Sequence, residues 1–322
     1  MLTILESRVA IKVPHPTEAS THHFWGMNFN LHNLWGRVHS MQMTPTALAT
    51  LAQEIRVRII EMLTEAKSGH PGGSLSSVDL LTALWFSEMR GIETPAKIDD
   101  PHRDRFVLSK GHGVPTLYAI LAKKGFIPAE ELKTLRRLDS RLQGHPDRQR
   151  LPIVESSTGS LGQGLSVAQG IAMGLKANHS KGRVYCLLGD GEVQEGQIWE
   201  AAMSCPKYNL SNLCVILDQN GGQIDGPVSQ VMPIEPVVDK WRAFGWHVID
   251  IDGHDYKQIL AAFAEARAAQ EKGESKPVFI RARTIKGKGV SFMENKIEWH
   301  GVAPKADEAR KAIDEIRGKS EV

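Results

Sequence analysis

Apolar residues in this chain follow two alternating periods. From Thr44 onward, Leu48, Leu51, Ala52, Ile55, Ile59 and Met62 recur every three or four positions, the stripe of an amphipathic helix. Gly69 and Pro71 end that helix. A second is predicted from Val78 to about Glu88, with Ser76 or Ser77 as its N-cap. Short apolar runs follow at Phe106–Leu108, Val184–Leu188, Leu213–Leu217, Trp246–Ile251 and Val278–Arg283. The uninterrupted ones predict strands buried on both faces, as in a parallel sheet. Helices are expected between them: Val114 to about Lys123, a segment carrying Ala168, Ala172 and Leu175, Gln197 to Met203, and Tyr256 to Glu271. Pro206 should end or kink the third of these. The alternation predicts an α/β fold, a three-layer sandwich of mostly parallel sheet with helices on both faces.

Residues 44–304 contain no repeat, low-complexity tract or long linker and are expected to form one domain, followed by a charged, helical surface tail over 305–322. Residues 1–43 lack both periods. They show no signal-peptide pattern and are expected to be a disordered or non-native leader upstream of a start near Met41 or Met43.

Composition narrows the picture by exclusion. With 39 Lys+Arg against 37 Asp+Glu the net charge is +2, which points to neither nucleic acid nor a polybasic membrane surface. No run of 18 apolar residues is present, so no transmembrane helix is expected. Cys186, Cys205 and Cys214 have no metal-site spacing; Cys186 and Cys214 read as core thiols, in keeping with a reducing cytoplasm. Arg136, Arg137, Arg141, Arg148 and Arg150 read as an exposed basic region.

The chemistry concentrates where strands end. Val184–Leu188 stops at Gly189-Asp190-Gly191, and a carboxylate between glycines at a strand's carboxyl end lies where open α/β sheets bind ligands. The strand Leu213–Leu217 stops at Asp218-Gln-Asn220. Residues 192 through 219 separate Gly191 from Asn220, a span of 28 residues that accommodates one helix and a returning parallel strand. Asp190 and Asn220 can then converge on one cation. His70, His112 and His145 sit in glycine-bearing loops, and His300 precedes Gly301. Imidazole donors beside two oxygen ligands suit a magnesium–diphosphate, in which Mg²⁺ binds oxygens at about 2.1 Å and shares them with phosphate. The main-chain carbonyl of Gly222 supplies a third protein oxygen. Neither a P-loop nor a Gly-x-Gly-x-x-Gly is present, which disfavours nucleotides.

Gly189-Asp-Gly191 followed by Asn220 resembles the thiamine diphosphate-binding motif. Ser68-Gly-His-Pro-Gly-Gly, Leu108-Ser-Lys-Gly-His, Gly144-His-Pro, Thr158-Gly-Ser-Leu-Gly-Gln-Gly and Ile224-Asp-Gly resemble transketolase in particular, in the family's order, over about residues 47–304. The likeness is to the N-terminal half of transketolase, which in some bacteria and archaea is a separate subunit. It implies the diphosphate-binding (PP-type) domain of the thiamine diphosphate fold. Asp190, Asn220 and the Gly222 carbonyl would bind Mg²⁺ (or Ca²⁺ or Mn²⁺). His70, His112, Gly159, Leu161, Gly189, Gly191, Asn220 and His300 would line the cofactor, with Ile224 against its rings. His70, His112, His145 and His300 would be catalytic, and Glu195 would couple two subunits. Glu192 and Glu200 read more simply as ordinary acids near a helix N-terminus.

The implied activity is transfer of a two-carbon ketol unit between ketose and aldose phosphates, in pentose phosphate or related carbohydrate metabolism. The family's cofactor-activating glutamate belongs to the following pyrimidine-binding domain, absent from this chain, so a C-terminal subunit is implied in an α2β2 heterotetramer. Gly221-Gly222 replaces bulkier family residues, and Pro206 interrupts a helix that is usually alanine-rich. The rivals are the α subunit of a 2-oxo acid dehydrogenase, a truncated deoxyxylulose-phosphate synthase, and a non-catalytic scaffold or regulatory subunit. The leader is checked by intact mass: the native protein should begin near Met41 or Met43, and a mass that includes residues 1–42 overturns that expectation.

Overall fold

The computed structural model describes residues 43–318; the expectation for the leader falls outside the described residues. The first helix, α1 (Pro45–Ala66), begins as its sequence demands. The Thr44 hydroxyl accepts from the Ala47 N–H at 3.2 Å, and Pro45 occupies the first turn, where an N–H has no helical partner. All six residues of the predicted stripe are buried.

A short helix that was not expected, α2 (Pro71–Ser76), precedes the second predicted one. That helix forms over its expected span, as α3 (Val78–Ala83) widening into a π-helical turn at Leu84–Glu88. Neither serine caps it: Ser76 Oγ donates to Asp218 at 2.6 Å, and Ser77 Oγ donates to the Gly73 carbonyl at 3.2 Å. Pro-Gly-Gly reads locally as a breaker, but the glycines are there for close approach. A Cβ on Gly72 would lie 2.9 Å from the Trp299 carbonyl oxygen, and one on Gly73 would lie 3.1 Å from His112 Nε2.

The chain continues through β1 (Arg105–Leu108), α4 (Val114–Lys123), α5 (Gln163–Ala177), β2 (Val184–Gly189), α6 (Gly196–Lys207), β3 (Leu213–Gln219), α7 (Val237–Ala243), β4 (His247–Asp252), α8 (Tyr256–Glu271), β5 (Val278–Arg283) and α9 (Ala306–Ile316). Five strands form one sheet in the order β1-β2-β3-β5-β4, every neighbouring pair parallel. Gly222–Gln223 and Gly226–Pro227 make a separate two-stranded antiparallel hairpin. Helix α6 runs one residue beyond Pro206. The Ala202 carbonyl, which Pro206 cannot serve, accepts the Trp246 indole N–H at 2.7 Å instead.

Both sheet faces are covered, as the apolar strands require. Tyr185, Leu187, Cys214, Ile216 and Ile280 share a core with α1, α3, α4, α8 and α9. Val184, Cys186, Leu188, Val215, Leu217 and Phe279 share a second core with α5, α6 and α7. Each fully buried Leu, Ile or Val adds about 1.5–3 kcal/mol, which is why the three central strands tolerate so few polar residues. The tail helix α9 forms as expected but packs on α1 through Ala309, Ala312 and Ile316. The three cysteines are buried and free. Arg137 and Arg141 are exposed but paired with Glu65 and Glu131. Among the described residues no helix is long and apolar enough to cross a membrane.

One buried carboxylate ties four segments of the first core. Asp79 of α3 receives both terminal nitrogens of Arg56 at 3.1 and 2.6 Å, the Tyr256 hydroxyl at 2.9 Å, and His254 Nδ1 at 2.7 Å. Burial alone would raise its pKa, but the Arg56 guanidinium and then His254 hold it well below the usual carboxylate range. A depressed folded pKa supplies stability that is complete above the unfolded carboxyl's value and lost as pH falls through the folded one. Asp79→Asn should therefore cost about 3–5 kcal/mol, by stranding a buried guanidinium. Urea midpoints should stay separated between about pH 5 and pH 7, above the ordinary carboxyl range. Equal midpoints would refute this.

Candidate active site

Because β2 and β3 are parallel neighbours in the register Gly189↔Asp218, their carboxyl ends finish together. Asp190, immediately beyond β2, faces the loop beyond β3. Its Oδ1 accepts the Gly191 N–H at 2.9 Å, and its Oδ2 accepts the Gly221 N–H. Asn220 is tied from the other side: its Nδ2 donates to Ser76 Oγ at 3.3 Å, and its Oδ1 accepts the Gly222 N–H at 3.1 Å. Gly221 makes this turn at φ +78°, a left-handed conformation that favours glycine over the bulkier family residues.

A cavity of about 180 Å³ opens at this edge. Asp190, Asn220, Gly189, Gly191 and Gly222 line it, together with Lys110, Lys286, His112 and His300. Leu161, Glu195 and Ile224 line it as well, and Ile224 is 66% exposed. The remaining expected residues adjoin the cavity without lining it. The His70 ring lies 5.4 Å from His112 and 5.7 Å from His300, and His145 lies 6.2 Å beyond His70. Gly159 supports that end of the row, because a Cβ there would press within 2.9 Å of the His145 ring. All the site residues expected from sequence thus gather at one sheet edge.

Three charged residues went unassigned by sequence reasoning. Lys110 and Lys286 are each 1% exposed, and Asp218 is completely buried. Lys110 Nζ pairs with Asp218 and donates to the Gly73 carbonyl at 2.7 Å. Asp218 also accepts from Ser76 and Thr284. Burial opposes its charge, but Lys110 and these donors keep its carboxyl below the ordinary value. Lys286 Nζ donates to the Gly222 carbonyl at 3.2 Å and meets His300 Nδ1 at 3.0 Å. Burial, and then the neighbouring charge of Lys110, bring Lys286 down to about 8. The signal was present in Ser-Lys-Gly-His and Ile-Lys-Gly-Lys: a lysine between a strand end and a glycine.

Glu192 overturns its bland reading. It is 2% exposed, and its carboxylate accepts Ser109 Oγ at 2.5 Å and the N–H groups of Gly162 and Gly189 at 3.0 Å each. It laces the loops after β1 and β2 to the start of α5. Burial outweighs these donors and raises its pKa.

The imidazoles are biased toward the neutral form: burial and then nearby positive charge lower His70 to about 4 and His300 to about 3, and lower His112 and His145 as well. Asp190 shows the opposite imbalance: burial and then the proximity of Asp218 lift it to about 6. Among the described residues no three His, Cys, Asp or Glu side chains converge as a metal site. Asp190 with an amide and a carbonyl is instead a sparse oxygen set of the kind Mg²⁺ completes with phosphate and water. A buried carboxylate bonded to main-chain N–H groups fits such a cation. The buried Lys286 ammonium and the unpartnered Nδ1 of His70 fit an anionic, hydrogen-bonding ligand beside it.

An open parallel sheet with this charged cleft at adjacent strand ends is the arrangement in which α/β proteins bind their ligands. A model of the transketolase thiamine diphosphate-binding domain matches residues 48–318. The 6-deoxy-6-sulfo-D-fructose transketolase subunit SqwG of a Clostridium species is 44% identical over 265 residues, 82% of this chain and 94% of that one. An apulose-4-phosphate transketolase subunit from Phocaeicola vulgatus is 41% identical over 279 residues, 87% of this chain and 97% of that one. The transketolase structure from Campylobacter jejuni superposes with a TM-score of 0.79 at 32% identity, over 85% of this chain. The chain spans 43% of that transketolase's length. It belongs to the transketolase family, as a thiamine diphosphate-binding domain.

Lys110→Met tests the buried pair. Leaving Asp218 charged and unpaired should lower unfolding free energy by about 3–5 kcal/mol. A change below about 1 kcal/mol in urea denaturation, the range of an exposed pair, would show that the pair does not hold this edge together.

Proposed function

We propose that this chain is the N-terminal subunit of a two-polypeptide transketolase, holding the Mg²⁺-diphosphate end of thiamine diphosphate at the ends of β2 and β3. The observation that carries this reading is the convergence of Asp190, Asn220 and the Gly222 carbonyl beside two buried lysines. The Gly222 oxygen has a second lone pair besides the one taken by Lys286, and the Asn220 oxygen likewise has one to spare, so both remain competent ligands. Lys286 supplies the positive charge for the diphosphate, strengthened by its burial, while Lys110 is spent on Asp218. Bound there, the cofactor supplies the electron sink for carbon–carbon bond cleavage in a ketose.

This chain's own residues then bind, orient and move protons. Neutral imidazoles can accept a hydroxyl proton or donate an N–H, so His70, His112 and His300 suit proton handling near the cavity. His145, at the far end of the row, suits holding the hydroxyls of a sugar donor. Leu161 and Ile224 offer apolar surface to the cofactor's rings, and the exposed Glu195 suits a contact with a second subunit.

The acid that would activate the cofactor would come from a partner with the pyrimidine-binding domain, in an α2β2 assembly in the cytoplasm. Relatives bearing subunit names support a partner, since such a chain is under half of a single-chain transketolase. The substrates in those names, a sulfonated ketose and a ketose phosphate, support a ketose donor with an anionic end.

Calorimetric titration with thiamine diphosphate and Mg²⁺, with and without the C-terminal subunit, tests the reading. Asp190→Ala should weaken cofactor binding at least about 100-fold, the upper range for losing groups that organise a metal site. No binding in either preparation would instead identify a scaffold. The chain alone should not turn over a pentose phosphate pair; turnover without the partner would overturn the two-polypeptide reading.

A further inference from the structure

The loop that carries Lys286 is tied through its main chain, the Gly287 N–H donating to the Gly72 carbonyl at 3.0 Å and the Lys286 carbonyl accepting the Asn295 N–H at 2.9 Å. Two side chains outside the cavity also grip the main chain on either side of this lysine. His254 Nε2 accepts the Ile285 N–H at 2.9 Å, and Arg56 Nε donates to the Lys288 carbonyl at 3.1 Å. Both gripping side chains converge on Asp79: His254 through Nδ1 at 2.7 Å and Arg56 through its two terminal nitrogens. Because a main-chain N–H donates to Nε2, that nitrogen carries no proton. His254 is therefore the tautomer protonated at Nδ1, which donates to the carboxylate. The Asp79 carboxylate thus sets the ring's tautomer and orientation, and the ring sets the position of the loop.

We infer that His254, backed by Asp79, is a positioning residue for diphosphate binding, fixing the loop from which Lys286 reaches the cavity. This inference rests on the thiamine diphosphate reading above. It adds a residue from the loop beyond β4, a strand that contributes nothing to the cavity lining. The chemistry parallels metal sites in which a carboxylate–imidazole pair outside the ligand set orients the ligands themselves.

Asp79→Asn perturbs the whole core and cannot serve as the only test, so two His254 variants separate the links. His254→Asn places an amide N–H where Nδ1 was, keeping Asp79 satisfied and losing the acceptor for Ile285. His254→Gln places an amide oxygen where Nε2 was, keeping Ile285 and losing Asp79. Each full-length variant is titrated with thiamine diphosphate plus Mg²⁺ and with inorganic pyrophosphate plus Mg²⁺. Urea stability and hydrogen exchange at the Ile285 amide are measured alongside. His254→Asn should keep near-wild-type stability, exchange Ile285 faster, and weaken both ligands about tenfold, as outer partners of a site do. His254→Gln should recover most of that affinity despite lower stability. Wild-type affinity in His254→Asn, or losses that track stability in both variants, would overturn the inference. Failure of the wild-type chain to bind either ligand, both with and without the C-terminal subunit, would instead remove the thiamine diphosphate reading, and this inference with it.

Discussion

Parallel pairing of β2 with β3 is the constraint from which the site follows. Parallel neighbours cannot be joined by a tight turn, so the chain crosses back through α6 before β3 begins. That crossover separates Asp190 from Asn220 in sequence and returns them to one edge in space. The register then matters at the level of single residues. With Gly189 opposite Asp218, the Asp190 carboxylate reaches the Gly221 N–H, and the loop after β3 is tied to the end of β2. A slip of one residue would turn Asp190 toward the other face and break that tie.

Around this edge the chain buries more charge than its core can tolerate without pairing. Lys110 and Asp218 neutralise each other, Glu192 is bonded to three donors from two loops, and Asp79 accepts from three side chains. These groups are satisfied within the fold and act as scaffolding. Asp190 and Lys286 are different, since burial and like charge shift both toward neutrality. A cation at the first and an anion near the second would relieve both at once, because opposite charge favours the ionised form of each. The site is thus distinguished from its scaffolding by how its charges are satisfied.

Much of this was legible before any fold was known. Strand positions followed from apolar runs too short for helices, and the convergence of Asp190 with Asn220 followed from the length of one crossover. Errors came where a distant group changed what a local signal meant. Pro71-Gly-Gly looked like a stop, yet it opens a helix whose glycines admit Trp299 and His112. Pro206 did mark the helix end to within one residue, but gave no sign that Trp246 satisfies the carbonyl the proline leaves free. Glu192 looked like an ordinary acid near a helix N-terminus, because nothing nearby in sequence revealed Ser109 and Gly162 as its partners.

The sequence by itself determined the fold class, the strands, the glycine-bearing loops and the residue types that converge at the sheet edge. These depend on periodicity and on connection length, which are local properties of a chain. Only the tertiary structure decided which charges are paired and which face the cavity. It also revealed the lysines that share the Asp190 edge, and the path from Asp79 through His254 to the Lys286 loop. Such roles depend on burial and on partners tens to hundreds of residues away; Asp79 and His254 are separated by 175 positions. No pattern along the chain encodes a hydrogen bond between groups that only folding brings together.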